Sequence, residues 1–369
     1  MQTKHFLKAL FQTGVAAVRG DAAVAKALER TPIQTPHQII AVGKAATAMA
    51  LAAHARFPDT PLLIVTKYDH ADGAPASAEV IEAAHPVLDD NSLRAGARIG
   101  EVVRTMGKGS HLLLLVSGGA SALAEDPSEG LDLAGLKERA EQLLASGADI
   151  HAMNSARKQM SRIKGGKLLA GFKGAQVTTL AISDVEGDSL AVIGSGIGDA
   201  AAEVPFAFSP QIVASNAIAR AAVADASRTQ GVPVQTNDET LYDDIHTLAP
   251  RLGAILRDGA PGVHVFGGEP TVVLPENPGR GGRNQALALL LAREIAGRND
   301  IRILVAGTDG TDGPTDAAGA IVDGQIWDAS GEEALARADA GTWLEARGAL
   351  LKTGPTGTNV MDLVIALKS

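Results

Sequence analysis

Short apolar runs alternate with helical patterns along almost the whole chain, and this succession limits the folds that the chain can adopt. The runs at residues 38–42, 62–66 and 112–116 are nearly all aliphatic, which is typical of parallel strands covered on both faces. Similar runs recur at 176–182 and 360–366, with helical stretches between them. Strands and helices in alternation predict the α/β class.

The pattern of strand-like and polar segments changes after residue 258. A polar break, RDGAPG, spans residues 257–262, and the stretch 262–274 reads as two strands joined by a GGEP turn. Two strands joined by so short a turn indicate antiparallel pairing, and hence a mixed sheet in this part of the chain. We therefore expect two α/β domains, 1–258 and a smaller 259–369.

Composition excludes several classes of site and partner. Cysteine is absent from the 369 residues, which excludes disulfides, thiolate metal sites and cysteine nucleophiles and makes the cytoplasm the expected location. The 33 basic and 42 acidic residues give a formal net charge of −9, which argues against nucleic-acid partners. No apolar stretch approaches the roughly 20 residues that span a bilayer. Residues 1–20 read as an amphipathic helix rather than a secretion signal.

The common nucleotide and hydrolase motifs are missing. The chain has no G-x-x-x-x-G-K-[ST] loop, no G-x-S-x-G elbow and no H-E-x-x-H pair. The segment GSGIGD at 194–199 comes near the G-x-G-x-x-G fingerprint but does not lead from a strand into a helix, so dinucleotide binding has no positive support. The nine histidines show no metal-ligand spacing and are taken as structural.

A glycine-rich loop, SGGAS, follows the apolar run at 112–116 and precedes a predicted helix. Its backbone N–H groups and two hydroxyls, at the N-terminus of a helix, could hold an anion. A tight turn with capping serines explains this loop equally well. The candidate phosphate-binding residues, called the phosphate loop below, are Ser117, Gly118, Gly119, Ala120 and Ser121.

Lys44 lies directly after the first predicted strand, in the segment VGKAA. The carboxyl ends of the strands are where open α/β sheets bind ligands, and a lysine there suits a phosphate or a carboxylate. A cation at the start of a helix opposes the helix dipole. This local cost favours a binding role over that of a surface lysine.

Further polar, glycine-rich loops supply arginines, amides, hydroxyls and carboxylates. They span residues 183–188, 277–285, 307–319 and 353–362. Together with the two loops above, they predict a cleft that binds several negatively charged groups and holds carboxylates nearby. Phosphoryl transfer requires that combination of groups.

Strings spread over most of the chain resemble the glycerate 2-kinase family, whose C-terminal part is the MOFRL domain. They are VGKAA, AAHPVLDDNS, LVSGGASAL, SDVEGD, FGGEPTV, GRGGRNQ, AGTDGTDGPTDAAGAIVD and TGPTGTN. The resemblance implies phosphorylation of D-glycerate at its 2-hydroxyl, dependent on ATP and Mg²⁺. It also implies a Rossmann-like domain over 1–258, a MOFRL-type domain over 259–369 and an active site in the cleft between them.

The same resemblance implies that Lys44 and Arg283 are the essential cations and that the phosphate loop is as defined above. For the other polar residues of the matching strings, side-chain chemistry suggests the following roles. The expected catalytic carboxylates are Asp184 and Asp309, and the expected metal ligands are Asp188 and Asp312. The expected substrate contacts are Lys158, Asn284 and Glu269, and the expected further nucleotide contacts are Thr308, Thr356 and Asn359.

Two segments depart from the family pattern. GSGIG at 194–198 replaces an SGPT-like run, and Met361 stands where a polar residue is common, so nucleotide contacts or substrate choice could differ. Some members of the family carry the label hydroxypyruvate reductase, and an NAD(P)H-dependent reductase is the alternative enzyme. A protein that binds anions in the same cleft without turnover is the alternative outside enzymes.

Overall fold

The computed structural model describes residues 2–145 and 150–369, which form two compact units with one six-stranded sheet each. The parallel-sheet unit consists of residues 19–215 together with 357–359. The mixed-sheet unit consists of residues up to 18, 216–356 and 360–369. Both units combine helices with a sheet, so the predicted α/β class is confirmed.

The sheet of the parallel-sheet unit has the strand order β3-β2-β1-β4-β5-β6, and all neighbouring strands in it are parallel. This is the order of the dinucleotide-binding fold, so the Rossmann-like prediction is confirmed. The strands are β1 Gln38–Val42, β2 Leu62–Lys67, β3 Glu79–Ala83, β4 His111–Val116, β5 Gln176–Ile182 and β6 Ala207–Ala214.

The strand order reverses between β1 and β4. From β1 the chain builds outward to β2 and β3, and it then returns to place β4 on the other side of β1. A crevice opens at such a point because the loops that leave the two central strands diverge. The loop after β1 carries Lys44, and the loop after β4 is the phosphate loop.

The helices lie before and between the strands, and none in the described parts of the chain is long and apolar enough to cross a membrane. In chain order they are α1 Gln2–Ala17, α2 Gly20–Arg30, α3 Ala46–Arg56, α4 Asp90–Thr105, α5 Ala120–Leu123, α6 Leu133–Ala145, α7 Ile150–Gln159, α8 Lys167–Ala170, α9 Asn216–Thr229, α10 Ile245–Asp258, α11 Arg283–Glu294, α12 Ser330–Ala336 and α13 Ala340–Glu345.

The helical pattern over residues 154–169 does not form one continuous helix. α7 ends at Gln159, and the one-turn helix α8 begins only at Lys167. Gly165 and Gly166, between them, have φ angles of +63° and +79°, which a helix cannot accommodate.

The sheet of the mixed-sheet unit has the order β11-β10-β9-β12-β8-β7, with β7 and β8 parallel and the other neighbours antiparallel. The prediction of a mixed sheet is confirmed. The hairpin predicted over 262–274 does not form, because β8 pairs with β12 and not with a strand after GGEP. The strands are β7 Val234–Glu239, β8 Gly262–Gly268, β9 Ile301–Gly307, β10 Gly319–Asp323, β11 Leu350–Leu351 and β12 Asp362–Lys368.

The units divide the chain earlier than the boundary predicted between residues 258 and 259. β7 pairs with β8, α9 packs on both strands and α10 packs on α11, so these elements belong to the mixed-sheet unit. The N-terminal helix α1 also belongs there, since it packs on α9 and β12. The apolar cores of both units are buried, as the aliphatic runs of the sequence require.

Candidate active site

Backbone hydrogen bonds join the loop after β1 to the phosphate loop at the point where the strand order reverses. The N–H of Lys44 donates to the carbonyl of Gly118 over 2.9 Å. The hydroxyl of Ser117 accepts from the N–H of Ala45 over 3.1 Å. Ser117 is fully buried, so its hydroxyl braces the two loops, whereas Ser121 stays partly exposed.

The glycines of these loops are required by close packing. A Cβ atom at Gly43 would overlap the hydroxyl of Ser117, and one at Gly118 would overlap Oδ2 of Asp184. Gly118 therefore allows the carboxylate of Asp184 to lie directly against the phosphate loop. The amide of Asn359 lies 3.4 Å from the same Oδ2 atom, so three of the predicted site residues meet here.

The side chains of Lys44 and His85 both lie close to Gly119. A Cβ atom at Gly119 would lie 3.1 Å from Cγ of Lys44 and 3.2 Å from Nε2 of His85. His85 follows β3, at the same edge of the sheet as Lys44. All histidines were expected to be structural, so His85 was not predicted as a site residue. A predicted strand at 79–83 would have placed His85 at the carboxyl end of the sheet.

The helix that begins within the phosphate loop is only one turn long, Ala120–Leu123. A helix this short has a weak macrodipole, so the positive helix end that we expected for anion binding contributes little. Attraction of an anion therefore depends on the charge of Lys44 and on the hydroxyl and backbone N–H groups of the phosphate loop.

Asp188 and Lys158 belong to the same unit but lie on other segments. Asp188 ends a 3-10 turn, Glu186–Asp188, on the loop that also carries Asp184. Lys158 lies in the last turn of α7, with its aliphatic stem 3.4 Å from where a Cβ of Gly165 would be.

In the mixed-sheet unit, Arg283 is held by two carboxylates. Its Nε donates to Oδ2 of Asp362 over 2.7 Å, and its Nη1 donates to Oε1 of Glu269 over 2.8 Å. Burial lowers the pKa of Arg283, but the two carboxylates outweigh it and hold that pKa above the ordinary value. Burial raises the pKa of Asp362 in spite of the arginine beside it. Asp362 is not among the site residues expected from the sequence.

Asp312 caps helix α11 from inside the mixed-sheet unit. Its Oδ1 and Oδ2 accept from the backbone N–H groups of Asn284 and Gln285 over 3.0 and 2.8 Å. Burial raises its pKa to about 7, although both N–H groups favour the charged form. Both oxygens are thus engaged by the helix, which leaves this carboxylate poorly suited to the metal role expected of it.

Asn284, expected to contact the substrate, is almost fully buried. Its Oδ1 atom has no hydrogen-bond partner in the part of the chain that the structure describes. The buried amide also interacts favourably with the carboxylate of Asp362. Asn284 therefore belongs to the same polar cluster as Arg283.

The expected nucleotide contacts Thr308 and Thr356 make structural hydrogen bonds. The hydroxyl of Thr308 is fully buried and donates to the carbonyl of Met361 over 2.7 Å. The hydroxyl of Thr356 donates to the carbonyl of Thr308 over 2.6 Å. Asp309 accepts from the N–H of Thr311 over 3.0 Å, which closes a tight turn after β9.

Two carboxylates flank the end of β9. A Cβ atom at Gly307 would lie 3.2 Å from Oδ1 of Asp362 and 3.3 Å from Oδ1 of Asp309. In the described ranges, no three imidazole or carboxylate groups are close enough together to hold a metal ion on their own.

Known proteins resemble the chain along most of its length. The family described as "Domain of unknown function (DUF4147)" matches residues 6–224, and the MOFRL family matches residues 262–362. The D-glycerate 2-kinase of Thermotoga maritima is 36% identical over 89% of this chain and 90% of its own. An Agrobacterium vitis protein with the provisional name hydroxypyruvate reductase is 37% identical over 88% of this chain and 97% of its own. A crystal structure of glycerate kinase from Thermotoga maritima matches with a TM-score of 0.90 and 31% identity, and the match covers 100% of both chains.

Proposed function

The chain belongs to the glycerate 2-kinase family, and from this premise we propose that it transfers the γ-phosphoryl group of ATP to the 2-hydroxyl of D-glycerate, giving 2-phosphoglycerate and ADP. One observation carries the proposal. Hydrogen bonds lock the Lys44 loop to the phosphate loop where the strand order reverses, with the carboxylate of Asp184 against Gly118. A cation, close backbone N–H groups and a carboxylate are what phosphoryl transfer needs in one place.

Lys44 supplies the positive charge for the transferred group. Its main chain is fixed by the bond to Gly118, while its flexible side chain can follow the phosphoryl group as negative charge develops on it. Gly118 and Gly119 carry no side chains of their own, which lets a phosphate approach their backbone N–H groups closely.

Arg283 is the second cation of the proposed reaction. Its pairing with Asp362 and Glu269 keeps the guanidinium charged and oriented, and Nη2 takes part in neither of these two bonds. A guanidinium edge of this kind can bind the carboxylate of glycerate or a phosphate oxygen.

Asp184 is the proposed acceptor for the proton of the 2-hydroxyl. Mg²⁺ is the proposed metal, and it usually binds through one or two carboxylates together with the phosphates rather than in an all-protein cage. The residues present fit such a site, since the carboxylate of Asp184 has the amide of Asn359 beside it and Asp188 on the same loop. When bound, Mg²⁺ neutralises phosphate charge. Asp312 is not retained as a ligand, because it caps α11.

The reductase alternative has two observations in its favour, the strand order of the parallel sheet and the provisional name of the Agrobacterium vitis relative. Against it, the loop after β1 carries Lys44 and a single glycine where dinucleotide-binding folds carry G-x-G-x-x-G. We therefore place the kinase first.

The test is the release of ADP from ATP and Mg²⁺ with and without D-glycerate. Glycerate-dependent ADP release supports the proposal, and ADP release at the same rate without glycerate contradicts it. Oxidation of NADH or NADPH by hydroxypyruvate is followed in parallel, and turnover there in place of ADP release would favour the reductase. We propose that the reaction takes place in the cytoplasm, in keeping with a chain that has no cysteine.

A further inference from the structure

The segment that departs from the family pattern forms a left-handed turn against the phosphate loop. Gly194, Ser195 and Gly196 have φ angles of +55°, +58° and +77°. A Cβ atom at Gly194 would lie 3.0 Å from Cβ of Ala120 in the phosphate loop. Serine is less favourable than glycine in this backbone conformation. What serine adds at the centre of the turn is its hydroxyl.

That hydroxyl contacts the phosphate loop. Oγ of Ser195 lies 2.8 Å from Oγ of Ser121, and Ser195 is only 5% exposed, whereas Ser121 is partly exposed. A hydroxyl has one proton to donate and two lone pairs that accept. When Ser195 donates to Ser121, the proton of Ser121 is left for an anionic oxygen, and the two bonds strengthen each other.

A buried frame holds the turn in place. The carbonyl of Ser195 accepts from the N–H of Gly165 over 2.9 Å. The preceding residue, Lys164, forms an ion pair with Glu125, and both side chains are almost fully buried. Glu125 follows helix α5 by two residues. The ion pair therefore gives a second connection, besides the contact between the two hydroxyls, from the turn to the short helix that carries Ser121.

We propose that Ser195 is a positioning residue for nucleotide binding, which donates to Ser121 and so directs the Ser121 hydroxyl toward a phosphate oxygen of ATP. The inference rests on the proposed kinase function and deepens it. It gives the segment 194–198 a role that differs from direct contact with the nucleotide.

The test is a double-mutant cycle with Ser195→Gly and Ser121→Ala. Ser195→Gly removes the hydroxyl and suits the left-handed backbone, so its melting temperature should equal or exceed that of the wild type. We expect the KM for ATP, and the Kd for MgATP measured by calorimetry, to rise about three- to tenfold, with the KM for D-glycerate unchanged. Added to Ser121→Ala, Ser195→Gly should change these values less than about twofold.

Ala338→Gly is the matched control. Ala338 also has a left-handed φ, +51°, but belongs to the mixed-sheet unit, so its replacement relieves the same kind of strain without removing the hydroxyl. We expect it to retain the wild-type KM for ATP. Unchanged ATP constants in Ser195→Gly, or equal losses on both backgrounds, would overturn the inference.

Binding and turnover separate this inference from the kinase proposal. A wild-type protein that binds MgATP but phosphorylates no glycerate would contradict the proposed function, while calorimetry would still measure the coupling between the two hydroxyls. A wild-type protein that does not bind MgATP would overturn both.

Discussion

Arg283 and Asp362 form a direct ion pair, in which Nε of the arginine donates to Oδ2 of the carboxylate over 2.7 Å. Asp362 is almost fully buried at the start of β12, where Asn216 donates from Nδ2 to its carbonyl over 3.1 Å. The bond from Asn216 fixes the backbone of Asp362, and the carboxylate cannot turn away without losing its bond to Arg283. The direction of the Arg283 side chain is therefore set by the sheet, and not by the loop that precedes it.

Asp362→Asn should weaken both stability and activity. The amide keeps the size of the side chain but removes the buried charge, which leaves Arg283 with only the exposed carboxylate of Glu269. We expect the free energy of unfolding to fall by about 2 kcal/mol and kcat to fall about tenfold or more, measured by urea titration and by steady-state kinetics. Glu269→Gln should cost less than about 1 kcal/mol, because that pair is open to solvent. Equal losses in the two variants would contradict the view that Asp362 orients Arg283.

Lys44→Ala should abolish most of the activity and leave the fold intact. The bond from residue 44 to Gly118 comes from the backbone and survives the change, while the positive charge near the transferred group is lost. We expect kcat to fall about a hundred- to a thousandfold, with the far-ultraviolet circular dichroism and the melting temperature unchanged. Lys26→Ala, in the exposed face of α2, is the control and should retain wild-type kinetics. A near-normal kcat in Lys44→Ala would remove Lys44 from the mechanism.

Gly118→Ala should displace Asp184. The added Cβ atom would overlap Oδ2 of this carboxylate, so the side chain or the loop must move. We expect kcat to fall at least about tenfold, because the proposed proton acceptor leaves its position. Gly107→Ala offers a comparison, since a Cβ there meets nothing within 4 Å and should leave kinetics and stability unchanged. Full activity in Gly118→Ala would mean that the position of Asp184 against the loop is unimportant.

Stability should depend on pH through Asp312. Burial raises its pKa in the folded protein to about 7, against about 4 for an aspartate in an unfolded chain, so the folded state binds the extra proton between these values. The resulting stabilisation is complete below about pH 4 and is lost as the pH rises to about 7, a change of about 4 kcal/mol at most. Asp312→Asn does not titrate, so the difference in unfolding free energy between wild type and variant should shift across this range. Parallel curves from pH 4 to 8 would contradict this account of Asp312.

The sequence was sufficient to predict the centre of the parallel sheet and its loops. β1 and β4 are buried on both faces and therefore consist of uninterrupted aliphatic residues, which are easy to recognise. The glycine-rich loops after them carry Lys44 and the phosphate loop, because ligand groups gather where the strand order reverses. β3 was missed because this edge strand, with the sequence EVIEA, mixes charged and apolar residues and has no continuous aliphatic run.

The features that the sequence does not reveal depend on contacts between residues distant in the chain. Asp312 caps a helix that begins 29 residues before it, and Asp362 pairs with an arginine 79 residues away, so no local pattern reveals either role. The hydroxyl of Ser195 likewise meets a residue 74 positions earlier. The division between the units lies before the predicted boundary because β7 pairs with β8, and no local pattern shows to which sheet an individual strand belongs.

The most direct test of the central claim is identification of the product of the wild-type enzyme by ³¹P NMR after incubation with D-glycerate, ATP and Mg²⁺. The account predicts ADP and 2-phosphoglycerate in equal amounts, with neither formed by Lys44→Ala on the same timescale. Formation of 3-phosphoglycerate alone would contradict the proposed placement of the 2-hydroxyl. The absence of any phosphorylated acid, in a protein that binds MgATP, would contradict the proposed reaction itself.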